Sequence, residues 1–399
     1  MHRIGAFSGV RSAMSNGEVI VIGGGITGCA TAYELGKHGV HVTILEREHI
    51  HAMGSGWTLA GVRQSGRLRP ELPIAREAIR RWETLGEELD AEIHYRQNGN
   101  LRLALTPDEA ETIRQVVADG NENGVKMEWL DGAQARELAP ALVDSVVGAS
   151  FCPTDGHADN IRTVQAYADA ARRQGASIVS GVEVLQIATS GDRVTGVITT
   201  DGTYTADAVV LAAGIYSPKL LTPLGLSLPI FITQTPVAET VPTTEMNLSP
   251  VLGVAAGNFA ARQTAEGGIR FIGRGEMWNE AEPHSQATVG MTVDAMDSMT
   301  HQAIAILPAL ANIRVDRVWA GLIDKTPDVL PVLDAVPAYP GLVVGAGFSG
   351  HGFGIGPMSG EILANLTTKG TDDRFDLEPF RLDRFTSEGV NEVSLEMLG

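Results

Sequence analysis

Cysteine is nearly absent. Cys29 and Cys152 are the only two in 399 residues, too few for a disulfide framework, a zinc cage or an iron-sulfur cluster held by the chain. Positive charge is scarce too: 30 Lys and Arg stand against 48 Asp and Glu, and the net charge of -18 repels nucleic acid and anionic lipid. No stretch approaches the roughly 18 apolar residues of a membrane span. Met1 to Asn16 lacks the apolar run of a signal peptide and reads as a loose leader, with Met14 an alternative start. These absences predict a protein of the reducing cytoplasm with no nucleic-acid partner, no transmembrane segment and no metal. Since 399 residues exceed the roughly 250–300 at which one core stops growing, two domains are expected.

What is present begins at Glu18, in EVIVIGGGITGCATAYELGKHGVHVTILERE. A β-rich apolar run, a glycine turn, a helix-period segment and a second apolar run predict strand, turn, helix and strand. Gly23, Gly25 and Gly28 fill G-x-G-x-x-G: the first for a tight turn, the second for close approach of a pyrophosphate, the third for packing helix on strand. The pyrophosphate would rest on N–H groups at the start of a helix near Ile26. Glu46 ends the second strand, where a carboxylate accepts ribose hydroxyls and repels a 2′-phosphate. That leaves FAD or NAD.

A second glycine-rich run, GLVVGAGFSGHGFGIGPMSGEILANL, also fits the spacing at Gly345, Gly347 and Gly350. No strand ending in an acid follows it, so a second dinucleotide site is not expected. Instead Pro357 is expected in the first turn of a helix running to about Thr367, aimed at an anionic reduced flavin. Between the two runs, RVTGVITTDGTYTADAVVLAAGIYSPKLL predicts a hairpin turning at Asp201-Gly202 and then a buried strand, Asp207 to Leu211. The small residues Ala212, Ala213 and Gly214 after that strand would let a cofactor lie against the backbone.

Six ordered segments now carry a resemblance. They are GGGITG with Glu46, GSGWTLAGVRQSGR, GVEVLQI, AAGIYSPKLL, WAGLIDKTPDVLPVLD and GFSGHGFGIGP. The chain resembles the D-amino-acid oxidase family of FAD enzymes, which includes glycine oxidase, monomeric sarcosine oxidase and the β-subunits of heteromeric sarcosine and opine oxidases. The likeness runs from Val19 to about Lys369. It implies that Ser55 and Thr58 contact flavin or its phosphates, that Val184 holds the adenine through its backbone, and that Ala213 and Gly214 pass the ribityl-phosphate region. Gly350, His351, Gly352 and Phe353 would lie along the flavin ring. Ile26, Thr27, Arg47, Ala212, Gly347 and Gly354 complete the candidate cofactor-binding set.

The chain also departs from its relatives. Ala320 to Lys325 lacks the Cys that attaches flavin in some members, so the resemblance implies non-covalent FAD. Ile323 and Asp324 stand where glycine oxidase and D-amino-acid oxidase have a substrate-carboxylate Arg. Asn160 stands where heteromeric sarcosine oxidase attaches FMN to a His, with His157 three residues earlier. Gly354 replaces a Lys of monomeric sarcosine oxidase, and Arg270 or Arg262 is nearest its oxygen-activating Lys.

The candidates for substrate chemistry are Arg63 and Arg262, whose flat guanidinium forks suit a carboxylate, and His351 as a flavin polariser or amine base. Surface or phosphate contacts for the arginines, and a spacer role for His351, are the competing readings. Tyr216 is expected to fill the core and Trp319 to pack between domains. The expected fold is α/β: a discontinuous Rossmann-like FAD domain (17–88, 150–221, 316–398) and an α+β substrate domain on an antiparallel sheet (89–149, 222–315), the latter including a helix from Thr106 to Asn123. The expected function is hydride transfer from the amine-bearing carbon of a secondary or α-amino acid (sarcosine-, D-amino-acid-, proline- or opine-like) to flavin N5, giving an imine. A flavin-binding subunit of a heteromeric complex with a vestigial pocket is the alternative, and an NAD-dependent dehydrogenase a third reading. For the amine-oxidation reading, the GVRQ segment and the DKTPD element resemble the β-subunits of heteromeric enzymes, which implies partner chains, carrying an iron-sulfur centre or another flavin, to take the electrons.

Overall fold

The computed structural model describes residues 17–278 and 289–385; the leader and residues 386–398 of the expected FAD segment lie outside them. Glu18–Ile22 forms a strand whose Val19 to Ile22 are buried, as β-branched residues covered on both faces demand. It is central in a six-stranded sheet, paired in parallel with His41–Glu46 on one side and Ala208–Leu211 on the other. Leu342–Ala346 extends this parallel set beyond Ala208–Leu211, and Ser177–Ser180 beyond His41–Glu46. Val332–Ala335 closes one edge antiparallel. The glycine-rich C-terminal run thus sends a strand into the sheet that the first fingerprint opens.

The helix Ile26–Lys37 is buried over nearly its whole length, because the helices Gly352–Lys369 and Asn160–Arg173 pack on it. Arg81 of the helix Leu72–Glu88 fastens this layer, pairing with Glu34, with Glu88 at 2.8 Å and with Glu361 at 2.9 Å. The hairpin at Asp201-Gly202 forms as expected, inside a three-stranded antiparallel meander, Val184–Ser190, Arg193–Thr199 and Gly202–Thr205.

A nine-stranded sheet makes the second layer. Phe231–Thr240, Ala260–Gln263, Ile269–Ile272 and Val315–Lys325 pair antiparallel within it, as do Asn100–Ala104 and Gly148–Cys152. One pair, Asn100–Ala104 with Val251–Val254, is parallel. Leu101, Leu252, Phe259 and Phe271 fill the core on one face, under the helix Val293–Ile306. The helix Pro107–Glu122 starts with Pro107 and a capping box between Thr106 and Glu109, which satisfies orphan N–H groups from both directions.

One expected element moves. The last long helix begins at Gly352, and Pro357 lies in its interior, not its first turn. Pro357 removes one N–H from the helix ladder. Groups from the neighbouring helix bond carbonyls of this stretch: Trp82 Nε1 donates to the Gly354 carbonyl at 2.7 Å and Arg81 Nη1 to that of Pro357 at 3.2 Å.

Candidate active site

A cavity of about 1750 Å³ runs from the glycine turn to the nine-stranded sheet, well above the roughly 300–1,000 Å³ usual for one small ligand. Its first end is made largely of backbone. Gly23 holds φ +107, and a Cβ there would lie 2.4 Å from the Ala212 carbonyl oxygen. A Cβ on Gly28 would lie 2.0 Å from the Gly23 oxygen, so the turn closes only with glycine at both positions. Gly25 caps the helix Ile26–Lys37 without a side-chain bond, and Ile26 N–H donates to Ser55 Oγ at 3.0 Å. The helix N-terminus therefore presents backbone donors and a positive dipole end to the cavity.

Glu46 sits at the end of its strand as the ribose role requires. Its carboxylate accepts from Gly24 N–H at 2.6 Å and Glu48 N–H at 2.8 Å, which fixes its orientation and leaves further lone pairs. Arg47 lies over the Tyr216 ring, 3.9 Å from its centroid. Tyr216 thus walls the cavity with Arg47 while its partly buried ring also packs against the core cluster of Ile215, Ala320 and Leu322.

Ser55, Thr58, Val184, Ala212, Ala213 and Gly214 line the same cavity, as do Gly23, Gly25, Ile26, Thr27, Glu46 and Arg47. Gly350, His351, Gly352 and Phe353 line its middle. Three expected contacts fall outside the lining. Gly28 is consumed by helix-to-turn packing, Gly347 gives its N–H to Asp324 Oδ2 at 2.9 Å, and Gly354 backs onto the Gly61 carbonyl. Asp324 lines the cavity there, and burial pushes its carboxyl up to about 6 despite the Gly347 N–H. Lys325 follows it in the wall, its ammonium depressed by burial.

The far side of His351 is charged. His351 is 4% exposed, and its Nδ1 lies 3.1 Å from Glu71 Oε2. Burial, helped by Arg67, pushes the imidazole down to about 4. The neutral ring therefore donates from Nδ1 to Glu71, which leaves Nε2 as its acceptor. Burial would raise the Glu71 carboxyl, but His351 and Arg67 outweigh it and hold it near about 2. Arg67 Nε lies 3.9 Å from Glu71 Oε1, while Arg67 Nη1 is buried with no hydrogen-bond partner. Burial and Arg63 lower Arg67 to about 9, so it stays charged at neutral pH.

Arg63, Arg67 and His351 therefore share one stretch of wall. Asp155 holds the Arg63 loop in place: it accepts from Gln64 N–H at 2.9 Å and from the Ser65 hydroxyl at 2.5 Å, and Arg63 Nη1 donates to the Ser65 carbonyl at 3.2 Å. Arg262 does not join them. It lies outside the lining, donating to the Leu59 carbonyl and, at 3.4 Å, to that of Gln263. Arg270 is likewise committed, to Glu239 at 2.7 Å and to Asn160 Oδ1 at 2.9 Å. Asn160 in turn donates to the Ser55 carbonyl at 2.9 Å. Trp319 packs against Trp57, donating to its carbonyl at 3.3 Å.

Sequence reasoning missed Arg67, Glu71 and Asp155. The first two left only a faint signal: opposite charges four residues apart in the turn that leads into the helix Leu72–Glu88. Asp155 left none, because its partners lie about 90 residues away. Among the described residues no group of His, Cys, Asp and Glu is placed to hold a metal ion, and no helix is long and apolar enough to cross a membrane.

Comparison with known proteins agrees with this geometry. The chain is 31% identical to the sarcosine oxidase β-subunit of Arthrobacter sp., over 92% of this chain and 91% of that one. It is 29% identical to glycine oxidase of Geobacillus kaustophilus, over 92% and 97%. The crystal structure of L-proline dehydrogenase from P. horikoshii superposes with TM-score 0.85 at 28% identity, covering 93% of this chain and 98% of that one. Residues 18–366 match the family described as FAD dependent oxidoreductase, DAO. The glycine turn, the uncapped helix and the Glu46 carboxylate fit the adenosine diphosphate half of that cofactor, and the Gly350–Phe353 wall the flavin half. By sequence and by structure, the chain belongs to the D-amino-acid oxidase family of FAD-dependent oxidoreductases.

Proposed function

We propose that the chain oxidises the amine-bearing carbon of an amino acid or N-substituted amino acid, with the substrate carboxylate on Arg63 and Arg67. One observation carries this: the buried guanidinium of Arg67 and the half-buried one of Arg63 stand in the cavity wall beside His351, where the helix Gly352–Lys369 begins. Guanidinium binds carboxylate as a flat two-pronged fork, and burial strengthens the attraction.

When bound, FAD would supply the acceptor for one hydride, that is, two electrons with one proton. The chain's own residues do the rest. Arg63 and Arg67 fix the carboxylate, and with it the direction in which the neighbouring C–H points. Neutral His351 offers Nε2 to the amine proton, while Glu71 fixes its tautomer from behind. The buried wall excludes water until an imine has formed. Gly23, Gly25, Ile26, Thr27, Glu46, Arg47, Ser55, Thr58, Val184 and the Ala212–Gly214 turn hold the dinucleotide end. Arg262 supports this wall from outside the cavity. The bond to flavin is non-covalent, since Ala320 to Lys325 offers no thiol, and acid precipitation should leave all flavin in the supernatant.

A cofactor unit made of 17–88, 150–221 and 316 onward fits the sheet membership, except that Gly148–Cys152 and Val315–Lys325 complete the other sheet. Both cysteines are free and buried, which suits a reducing cytoplasm. Partner chains are part of the reading. A relative bears a subunit's name, and Val293, 75% exposed, shares a surface groove with Met296 and Val318.

The test is anaerobic mixing of the yellow protein with N-methyl, D- and cyclic amino acids. Bleaching by at least one supports the reading. No bleaching by any amine, alone or with partner chains, would reject it in favour of a flavin-binding subunit without chemistry of its own.

A further inference from the structure

The turn from Gly347 to Gly350 joins the strand Leu342–Ala346 to the helix Gly352–Lys369. It runs through three left-handed residues: Gly347 at φ +70, Ser349 at φ 52 and Gly350 at φ +86. Glycine accepts such a φ freely, but Ser349 carries a Cβ there and keeps the conformation only while its surroundings fix it. A stretch of cavity wall hangs on this turn. Gly350 and His351 line the cavity, His351 N–H donates to the Phe348 carbonyl at 2.8 Å, and the long helix starts at the next residue with its positive end at the wall.

The end of the strand Val315–Lys325 fixes the turn. Asp324 holds it twice: its main-chain carbonyl accepts from Ser349 N–H at 2.8 Å, and its Oδ2 accepts from Gly347 N–H at 2.9 Å. Thr326 N–H donates to Ser349 Oγ at 3.1 Å, and a Cβ on Gly347 would lie 2.5 Å from Thr326 Cγ2. Ile323 closes on the other end, since a Cβ on Gly350 would lie 3.7 Å from Ile323 Cγ2. Among these contacts the half-buried Asp324 carboxylate is the charged one, and no Lys, Arg or His pairs with it among the described residues. The other ionisable groups on the elements packed here are committed or turned away. Lys325 lies on the opposite face of the strand, His351 faces Glu71, and Asp328 is paired with Arg384. The strand Phe231–Thr240 sets Ile232 against Asp324. A charge without a counter-ion in a partly buried wall costs free energy. What this one does is accept a backbone N–H, a bond about twice as strong to an ionised acceptor as to a neutral one.

We propose that Asp324 is a positioning residue for the flavin. Through Gly347 and Ser349 it keeps the turn in its left-handed shape, and through the turn it sets His351 and the first N–H groups of the helix Gly352–Lys369 against the ring. The use made of His351 rests on the amine-oxidation reading above; the placing of the ring does not.

The experiment uses the FAD-loaded chain and reads two quantities that need no amine. Ultrafiltration gives the dissociation constant of FAD, and bleaching by sulfite, which adds to a flavin more readily where positive charge faces the ring, reports the field of the helix start. Asp324→Ala leaves the Gly347 N–H without its acceptor, and is expected to raise the Kd of FAD about a hundredfold and the sulfite needed for half bleaching about tenfold. Asp324→Asn keeps a neutral acceptor at the same reach and is expected to stay within about fivefold of wild type in both. Should Asp324→Ala not fold, Asp324→Glu, which keeps the charge and misplaces it by one methylene, takes its place with the same expectation. Wild-type FAD retention and sulfite response in Asp324→Ala, or an Asp324→Asn protein as impaired as Asp324→Ala, would overturn the proposal. Failure of every amine to bleach the wild-type chain, with these differences intact, would reject amine oxidation and leave Asp324 in its role.

Discussion

The two ends of the cavity are built on different principles. The dinucleotide end comes from one short stretch, Gly23 to Glu46, joined by Ser55 and the Ala212–Gly214 turn, and its recognition groups are mostly backbone. The other end brings the Arg63–Glu71 segment together with Arg102 and with the distant His351, and its recognition groups are ionisable side chains, of which Arg67, Glu71 and His351 are buried. Backbone donors belong to every residue, so that end needs only the right turn and can be shared across a family that shares a cofactor. Charged side chains in a dry wall cost free energy unless matched, so the other end is where substrate identity resides.

Four measurements would break or sharpen this contrast. The largest effect is expected from Gly28→Ala, since the added methyl would sit 2.0 Å from the Gly23 oxygen. Overpacking of about 3 kcal/mol in the turn should yield protein almost without visible flavin colour, and wild-type flavin content would show the turn to be less constrained than its geometry. Next, Arg63→Met should keep its flavin while the second-order rate constant for anaerobic bleaching drops roughly a hundredfold. Loss of flavin together with rate would mean that the two ends are not separable.

A third test is acid stability. Glu71 is held at about 2, below its usual carboxylate value, so its contribution is complete above that value and fades as pH falls toward 2. His351 is held at about 4, below the ordinary imidazole value, so the unfolded chain takes up its proton first and stability already falls as pH drops from 6.5 toward 4. Melting temperature should therefore decline in two overlapping stages below neutrality. Glu71→Gln, which strips Arg67 of its counter-charge, should cost about 3 kcal/mol near neutral pH and remove the lower stage. A profile identical in shape to wild type would take Glu71 out of the network. The smallest effect is expected from Arg262→Lys. Because Arg262 lies outside the cavity lining and reaches it only through the Leu59 carbonyl, bleaching rates should change by less than about threefold, with melting lowered by about 2 °C. A large rate loss would put Arg262 back at the substrate.

Legibility in the sequence followed the same divide. The strand–turn–helix–strand unit was readable because its pattern is contiguous, and so was the hairpin at Asp201-Gly202. Pro357 misled: proline at a helix start is a sound expectation, yet here Trp82 and Arg81 bond carbonyls around it and the helix begins five residues earlier, at Gly352. Arg63 and Arg262 looked equivalent as forks in a line of text. Only packing showed that Arg63 lines the cavity and Arg262 props the Leu59 segment behind it. Arg102 carried a faint mark, a charge inside an apolar alternation, that nothing local could interpret.

By itself the sequence determined the cofactor-binding half of this protein, because a glycine turn, a helix start and a strand-end acid lie within the reach of one βαβ unit. Tertiary structure alone decided which charges meet. Arg63, Arg67, Arg102, Glu71 and His351 become a cluster only when the helix Leu72–Glu88, the strand Asn100–Ala104 and the helix Gly352–Lys369 are packed around one cavity, and the free energy of a buried charge depends on those neighbours more than on the residue itself.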